Sequence, residues 1–218
     1  MKTNRYTHVF WDWNGTIIDD LSTNLSVINT LLVNRKKSSI SLSEYRKVFT
    51  FPIKDFYSKV GLPTDGKEYE QLVDDYWNLY KKEIQNIPLM AGIKGMLCTL
   101  KEHQIKQYIL SASDKGMICD QMSIYGIRDY FEEIIAPQDG YAHGKVELAK
   151  QWMSKQNISV AKVIMIGDTF HDYETAKALS IDCLLVNKGH QDLTCIEKNA
   201  KIRAVNDVCE INTSIFES

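Results

Sequence analysis

The segment that decides the fold is FWDWNGTIIDD, residues 10–20. An apolar run with high strand propensity ends at Asp12, and an Asn-Gly turn dipeptide follows it directly. Strand alternation places Trp11 and Trp13 on the face opposite Asp12, where we expect them to pack in the core. A carboxylate directly after such a strand is where open α/β sheets hold ligand-binding groups, so the segment predicts a functional role for Asp12.

The composition excludes several classes of protein. The chain has 218 residues, 44% hydrophobic and 25% charged, which is typical of a globular protein. Lys and Arg number 26 against 28 Asp and Glu, so no basic field favours nucleic acid or anionic membrane as a partner. Five cysteines without a CxxC pair favour reduced thiols, and no signal-peptide core or membrane span is recognisable. We therefore expect a cytoplasmic protein; no pattern specifies its oligomeric state.

Two hydrophobic patterns divide the chain. Residues 19–88 have helical spacing, first seen in Leu21, Leu25, Ile28 and Leu32. Short apolar strands alternate with helical segments on either side of that block, and they predict five strands: HVFW, KQYIL, EEIIA, KVIMI and CLLV. We therefore predict an α/β fold, a doubly wound parallel sheet of residues 1–18 and 89–218, with residues 19–88 inserted as an all-helical cap.

Polar side chains follow the predicted strands at several points. Ser111 follows KQYIL, and Asp168 and Asp172 lie in GDTFHD after KVIMI. Lys145 opens a predicted helix after a glycine. Because the carboxyl ends of parallel strands meet at one edge of the sheet, we expect these groups to lie near Asp12. A carboxylate nucleophile, a hydroxyl, a cation and a pair of acids together suit a phosphate and a metal ion.

Each of these residues also has a structural explanation. An aspartate after a strand is commonly a helix cap or turn residue, and a lysine at a helix start is commonly solvated. Ser111 can cap the helix that starts at Lys115, a role that Ser113 or Asp114 can fill equally well. The order of the motifs along the chain is what favours a functional site.

The ordered motifs resemble those of the haloacid dehalogenase (HAD) superfamily of phosphohydrolases, in particular its phosphoglycolate phosphatase-like branch. That superfamily has an Asp-x-Asp-Gly-Thr turn, a Ser or Thr, a Lys and a Gly-Asp-x-x-x-Asp turn in this order. The resemblance spans nearly the whole chain. It implies a Rossmann-like core with a helical cap, Mg²⁺ as cofactor and a small phosphorylated metabolite as substrate.

The resemblance also implies a catalytic role for several residues. Asp12 would attack phosphorus and become an aspartyl phosphate. Lys145 would balance the phosphoryl charge and orient the nucleophile. The substrate-binding residues would be Gly15, Thr16, Ser111 and the backbone amide of Ala112.

The metal ligands are implied in the same way. Asp12, Asp168 and the main-chain carbonyl of Asn14 would hold Mg²⁺, a hard cation that prefers oxygen ligands. For Asp172 three alternatives stay open: direct contact with the metal, contact through water, or a hydrogen bond to Lys145.

Asn14 departs from the pattern, because most phosphatases of the superfamily have an aspartate there that donates and accepts protons. A carboxamide can orient a water or a leaving oxygen, but it has no titratable proton near neutral pH. General acid–base catalysis contributes ~10²–10⁴-fold in rate. Three alternatives follow. The protein would hydrolyse phosphate esters slowly or use substrates with good leaving groups, or another group (His171, His190 or a cap residue) would transfer the proton. In the third alternative, the site binds a phosphorylated ligand with weak turnover. His171 is also a candidate for substrate contact, because its position on the active-site loop gives it reach, and its acidic neighbours are expected to favour its imidazolium form. A loop histidine that points to solvent is the competing explanation.

The string DWNGT also resembles the DWAGT turn of phosphonoacetaldehyde hydrolases, which lack the same acid. This resemblance implies an alternative function, C–P bond cleavage, in which a cap lysine forms an imine with the substrate aldehyde. Lys54 and Lys59 are the candidates for that substrate contact. A solvated lysine on a cap helix is the competing explanation for both.

Overall fold

A sheet of six parallel strands lies at the centre of the computed structural model, which describes residues 5–138, 144–195 and 202–216. The strands are β1 His8–Trp11, β2 Lys106–Leu110, β3 Glu133–Ile135, β4 Val163–Gly167, β5 Asp182–Val186 and β6 Ala204–Val205. Their order is β3-β2-β1-β4-β5-β6, and each neighbouring pair is parallel. The predicted doubly wound sheet is confirmed. The order in which successive strands are added reverses between β1 and β4, and this switch point is where such sheets bind ligands.

The helices fall into two groups. Those between β1 and β2 are α1 Leu21–Asn34, α2 Leu42–Val48, α3 Ile53–Lys59, α4 Gly66–Glu83 and α5 Ile93–Glu102. Those that alternate with the later strands are α6 Lys115–Tyr125, α7 Lys145–Ser154 and α8 Phe170–Leu179. The first four helices fill the segment predicted as an inserted helical cap. Within the described ranges, no helix has the length and apolar character needed to cross a bilayer.

The prediction of five strands was wrong by one, because β6 is missing from it. This strand has two residues, which is too short for a period-two pattern to be recognised in the sequence. Its position depends on pairing with β5, where the N–H of Leu185 donates to the Arg203 carbonyl and the N–H of Asn187 donates to the Val205 carbonyl. Edge pairing of this kind is decided by the rest of the sheet.

Side chains on the two faces of the sheet form two hydrophobic clusters. Alternation along β1 sends Trp11 to one cluster and Phe10 to the other. Trp13 shares the cluster of Trp11, and both indoles are fully buried. Each indole N–H donates to a buried glutamine, Gln107 and Gln121 respectively. The packing role predicted for the two tryptophans is confirmed, as is the prediction that the five cysteines are free thiols.

The two crossings between the sheet and the helical segment lie side by side. The N–H of Asp19 donates to the Pro88 carbonyl at 2.9 Å, and the N–H of Met90 donates to the Ile17 carbonyl at 2.9 Å. Between these two hydrogen bonds, Ile18 and Leu89 form an isolated antiparallel β-bridge. The predicted boundaries, residues 18/19 and 88/89, lie in this paired segment, and the division into core and cap stays a prediction.

Helix α2 is tied to the loop after β5 by the guanidinium of Arg46. This group donates to the carbonyls of Asn187 at 3.0 Å, Gly189 at 3.0 Å and Gln191 at 3.1 Å, and also to Oδ1 of Asn187 at 3.1 Å. The planar guanidinium is suited to several acceptors at once. One side chain of the helical segment thus fixes a loop that borders the carboxyl edge of the sheet.

We expect Arg46→Ala to lower the free energy of unfolding by roughly 1–3 kcal/mol, because several partly buried carbonyls lose their donor together. Chemical denaturation measures this loss, and amide hydrogen exchange should show faster exchange in α2. Arg35→Ala is the matched control, since Arg35 pairs with Asp75 near the surface at 3.0 Å and should cost less than about 1 kcal/mol. Equal losses in the two variants would contradict the expectation.

Candidate active site

Lys145 is the buried cation of the candidate site. It is the first residue of α7, and its side chain is only 2% exposed. Its Nζ lies 2.5 Å from Oδ1 of Asp12 and 2.5 Å from Oδ1 of Asp172. Burial acts to lower the pKa of Lys145, but the two carboxylates outweigh it and raise that pKa above its usual value. A permanently charged ammonium therefore joins the end of β1 to the first turn of α8.

Asp172 is fixed by the start of α8. Its Oδ2 accepts hydrogen bonds from the N–H of Asp168 at 3.2 Å, from the N–H of Thr169 at 3.0 Å and from the Thr169 hydroxyl at 2.8 Å. Burial acts to raise the pKa of Asp172, but Lys145 and Thr169 hold it below its usual value. Of the three alternatives for Asp172, the structure shows the contact with Lys145. Contact with a metal stays a prediction.

Asp168 occupies a narrow space after β4. Its carboxylate accepts hydrogen bonds from the Thr16 hydroxyl at 3.1 Å and from the N–H of His190 at 2.6 Å. A β-carbon at Gly15 or Gly189 would collide with this carboxylate, and Gly15 also has φ +72°, which favours glycine. The turn predicted to contact phosphate therefore also encloses Asp168, and the Thr16 hydroxyl is used to hold it.

Three carboxylates converge at the switch point of the sheet. Asp12, Asp168 and Asp172 each offer one oxygen, and these oxygens lie within 4.8 Å of one another. Burial raises the pKa of Asp12 to about 8 against the attraction of Lys145, and raises the pKa of Asp168 to about 6. A bound cation would favour the ionised forms, and three ionised carboxylates with one ammonium would leave two negative charges for it to balance. The donors and their charge therefore fit a hard divalent cation such as Mg²⁺.

Asn14 is held by hydrogen bonds on both sides of its amide. Its Nδ2 donates to Oδ2 of Asp20 at 2.7 Å and to the Tyr80 hydroxyl at 3.2 Å, while its Oδ1 accepts from the Ser113 hydroxyl at 2.6 Å. Both the amide nitrogen and the amide oxygen of Asn14 are therefore hydrogen-bonded to other side chains of the protein. An amide in this setting can orient a neighbour, and it has no proton to transfer.

Asp20 is a site residue that the sequence reasoning missed. It is fully buried, and its five hydrogen-bond donors are Asn14, the N–H of Gly15, Asn24, Tyr80 and His190. Burial acts to raise the pKa of Asp20, but His190 and the other donors hold it below its usual value. The only sequence signal was a second acid at the end of the first motif. The Tyr80 donor comes from α4, 60 residues away in the chain, and nothing local predicts it.

His190 pairs with Asp20 and also with the helical segment. Its Nε2 lies 2.9 Å from Oδ1 of Asp20, and its Nδ1 lies 2.9 Å from the hydroxyl of Tyr45 in α2. Burial acts to lower the pKa of His190, but Asp20 outweighs it and raises that pKa to about 9. Both ring nitrogens are occupied, so His190 holds the loop after β5 in place and is a poor candidate for the missing acid.

His171 does not have the charge expected of it. Burial and the neighbouring Lys145 lower the pKa of His171, and they outweigh Asp172, so the expectation of an imidazolium was wrong. Its half-buried ring lies 5.0 Å from the ring of Phe51. His171 thus contacts the helical segment through Phe51, and substrate contact by this neutral imidazole stays a prediction.

Ser111 lies where the sequence placed it, at the end of β2. Its hydroxyl is buried and accepts the N–H of Ser113 at 3.1 Å. The cap of α6 is Asp114, whose carboxylate accepts the N–H of Met117 at 2.9 Å, so Ser111 is not needed as a helix cap. Ala112 follows on the same turn and is half-buried. Phosphate contact by Ser111 and Ala112 stays a prediction.

Lys54 is not in the desolvated setting that imine formation requires. It is exposed on α3, and its ammonium lies 4.5 Å from the centre of the Tyr69 ring within the helical segment. Lys59 is exposed as well. The phosphonate alternative therefore gains no support from these two lysines and stays a prediction.

Comparison with known proteins places these observations in a family. A family model described as haloacid dehalogenase-like hydrolase matches residues 9–186. The chain is 20% identical to a phosphoglycolate phosphatase of Synechococcus elongatus over 184 residues, which cover 84% of this chain and 85% of that protein. It is 25% identical to the tyrosine-protein kinase PtkA of Mycobacterium tuberculosis over 113 residues, 51% of this chain. That match spans only 39% of the length of PtkA.

Solved structures share the whole fold. The structure of PtkA from Mycobacterium tuberculosis has a TM-score of 0.81 at 19% identity and covers 97% of this chain and 98% of its own. A predicted phosphatase from Clostridium acetobutylicum has a TM-score of 0.81 at 22% identity, with 96% and 98% covered. At this level of identity the likeness establishes the common fold.

The pair of His190 and Asp20 should make stability depend on pH. Because the pKa of His190 is raised from 6.5 to about 9 on folding, the stabilisation is complete below pH 6.5 and is lost as pH rises through 9. The loss is expected to reach roughly 3 kcal/mol. Chemical denaturation between pH 6 and 10 tests this with His190→Gln as the reference, because other titrating groups are common to both proteins. Parallel stability curves would contradict the expectation.

Proposed function

Because the chain belongs to the haloacid dehalogenase-like hydrolase family, we propose that it is a magnesium-dependent phosphatase acting on a small phosphorylated metabolite through an aspartyl phosphate on Asp12. The family and the fold predicted from the motifs are confirmed by the match over residues 9–186. The phosphatase class agrees with the phosphoglycolate phosphatase of Synechococcus elongatus and the predicted phosphatase of Clostridium acetobutylicum, both of which align along most of the chain.

The contact between Lys145 and Asp12 is the observation that supports this function most directly. A nucleophilic carboxylate must present one oxygen to phosphorus in a fixed direction, and the ammonium 2.5 Å from Oδ1 of Asp12 supplies that orientation. Asp172 in turn fixes the ammonium, so the nucleophile is oriented through two buried ion pairs. The side chain of Asp12 keeps 13% exposure, which leaves it accessible to substrate.

In the first step, a carboxylate oxygen of Asp12 forms a bond to phosphorus, and the bond from phosphorus to the leaving oxygen breaks. Lys145 stays protonated and stabilises the negative charge of the phosphoryl oxygens. Ser111 and the backbone amide of Ala112 donate hydrogen bonds to the same oxygens. In the second step, the oxygen of a water molecule bonds to phosphorus and the bond from phosphorus to the Asp12 oxygen breaks. The carboxylate is restored, and both protons of the water leave with inorganic phosphate as dihydrogen phosphate.

The metal would be held by Asp12, Asp168 and the main-chain carbonyl of Asn14, with Asp172 beside them. When bound, Mg²⁺ supplies positive charge that reduces the repulsion between Asp12 and an anionic phosphoryl group. The buried position of Asp168, enclosed by Gly15 and Gly189, fixes one ligand in advance. The unbalanced negative charge of the carboxylates is what this role requires.

Asp12→Asn is expected to abolish release of inorganic phosphate from a panel of phosphorylated metabolites assayed with Mg²⁺. The reason is that an amide oxygen is a far weaker nucleophile than a carboxylate, so the loss should be at least ~10³-fold, as for other nucleophile replacements. Melting temperatures should show that the variant is still folded. Undiminished activity in Asp12→Asn would refute the proposed nucleophile.

Asp168→Asn should weaken Mg²⁺ binding measured by calorimetry, because it removes a charged ligand from the site. Asp182→Asn is the matched control, since Asp182 is a carboxylate at the start of β5, away from the carboxyl edge of the sheet. Equal affinity of Asp168→Asn and the control would remove Asp168 from the metal site. A wild-type protein that binds phosphorylated ligands without releasing phosphate would be a binding protein instead of an enzyme.

A further inference from the structure

Asp20 accepts hydrogen bonds from Asn14 and Gly15, the two residues at the turn after Asp12, and none of the motifs described above assigns it a role. We propose that Asp20 is a positioning residue that fixes the amide of Asn14 as a hydrogen-bond donor and thereby excludes an acid from position 14. The consequence for catalysis rests on the proposed function of the site. The structural part of the inference does not.

The Asp20 carboxylate cannot turn away from Asn14. Its Oδ2 accepts from Asn14 at 2.7 Å, from Asn24 at 2.7 Å and from Tyr80 at 3.0 Å. Its Oδ1 accepts from the N–H of Gly15 at 2.9 Å and lies 2.9 Å from Nε2 of His190. Rotation of the carboxylate would break several of these bonds in a fully buried position, where unsatisfied groups are costly.

A carboxylate at position 14 would face this fixed acceptor. The Nδ2 of Asn14 is a donor 2.7 Å from Oδ2 of Asp20, and replacing it by an oxygen would set two acceptors against each other. The two groups would also carry like charges in a buried site that already holds Asp12 and Asp168. With Asp20 as its neighbour, position 14 therefore requires a hydrogen-bond donor, which the amide of Asn14 supplies.

This pairing selects the class of substrate. The bond from Asp12 to phosphorus must form while the leaving oxygen departs with its electron pair, and no proton comes from position 14. Substrates whose leaving oxygen is a stable anion, such as acyl and aryl phosphates, need no such proton. Alkyl phosphates do, so the site should favour acyl and aryl phosphates.

The first experiment compares melting temperatures of Asn14→Asp and Asn14→Ala, each made in the wild-type protein and in Asp20→Asn. Asn14→Ala is the matched control, because it removes the same amide without adding charge. In the wild-type background, Asn14→Asp should melt roughly 5 °C or more below Asn14→Ala. In the Asp20→Asn background, the difference should shrink or reverse, because an amide at position 20 can donate to a carboxylate at position 14.

An equal melting temperature of Asn14→Asp and Asn14→Ala in the wild-type background would overturn the proposal. This comparison does not depend on how well Asp20→Asn folds. Failure of Asn14→Asp to fold, with Asn14→Ala folded, counts as support, because the added charge is then the cause.

The second experiment measures kcat/KM with Mg²⁺ for aryl phosphates whose leaving groups range from strongly to weakly acidic. The wild-type rate should fall at least ~10²-fold along the series, as expected without a general acid. In Asn14→Asp, kcat/KM should depend on the acidity of the leaving group as steeply as in the wild-type protein. A flat dependence in Asn14→Asp would show that position 14 accepts a working acid beside Asp20, and would overturn the proposal.

The two experiments separate the two inferences. If the wild-type protein turns over no phosphate ester while the melting-temperature difference is found, the proposed function fails and the role of Asp20 stands. If phosphate is released in an Asp12-dependent manner while the difference is missing, the proposed function stands and the role of Asp20 fails.

Discussion

The ammonium of Lys145 between the carboxylates of Asp12 and Asp172 is the interaction on which the candidate site depends. Three carboxylates at the carboxyl edge of β1 and β4 would otherwise repel one another at short range. The cation removes part of that repulsion and sets the direction of Asp12. The charge that remains is of the size and sign that a divalent cation balances, so the orientation of Asp12 and the proposed binding of a metal have the same physical origin.

A second buried network joins the helical segment to this site. Asp20 accepts hydrogen bonds from Asn14 and Gly15, from Asn24 in α1, from Tyr80 in α4 and from His190 after β5. Tyr45 and Arg46 of α2 extend the contact to the same loop. The inserted helices therefore supply groups that hold Asn14 and Asp20, and movement of those helices would change the hydrogen bonds of Asn14.

Much of this arrangement was predictable from local patterns. Five strands, the inserted helices and the positions of Ser111 and Lys145 follow from apolar periodicity and from the rule that strand ends carry the chemistry. The sixth strand and the neutral form of His171 were not predictable. A two-residue strand has no periodicity, and the acidic sequence neighbours of His171 act on it less than burial and Lys145, which is 26 residues away in the chain.

The sequence by itself determined which residues could perform chemistry, because residue type and position after a strand are local properties. It also determined that an amide, and not an acid, stands two residues after Asp12. Only the tertiary structure decided why that amide is there, since Asp20, Tyr80 and His190 converge from separate parts of the chain. Hydrogen bonds and charges act over a few ångströms of space whatever the separation in sequence, so the charge state and freedom of a buried group are set by the fold.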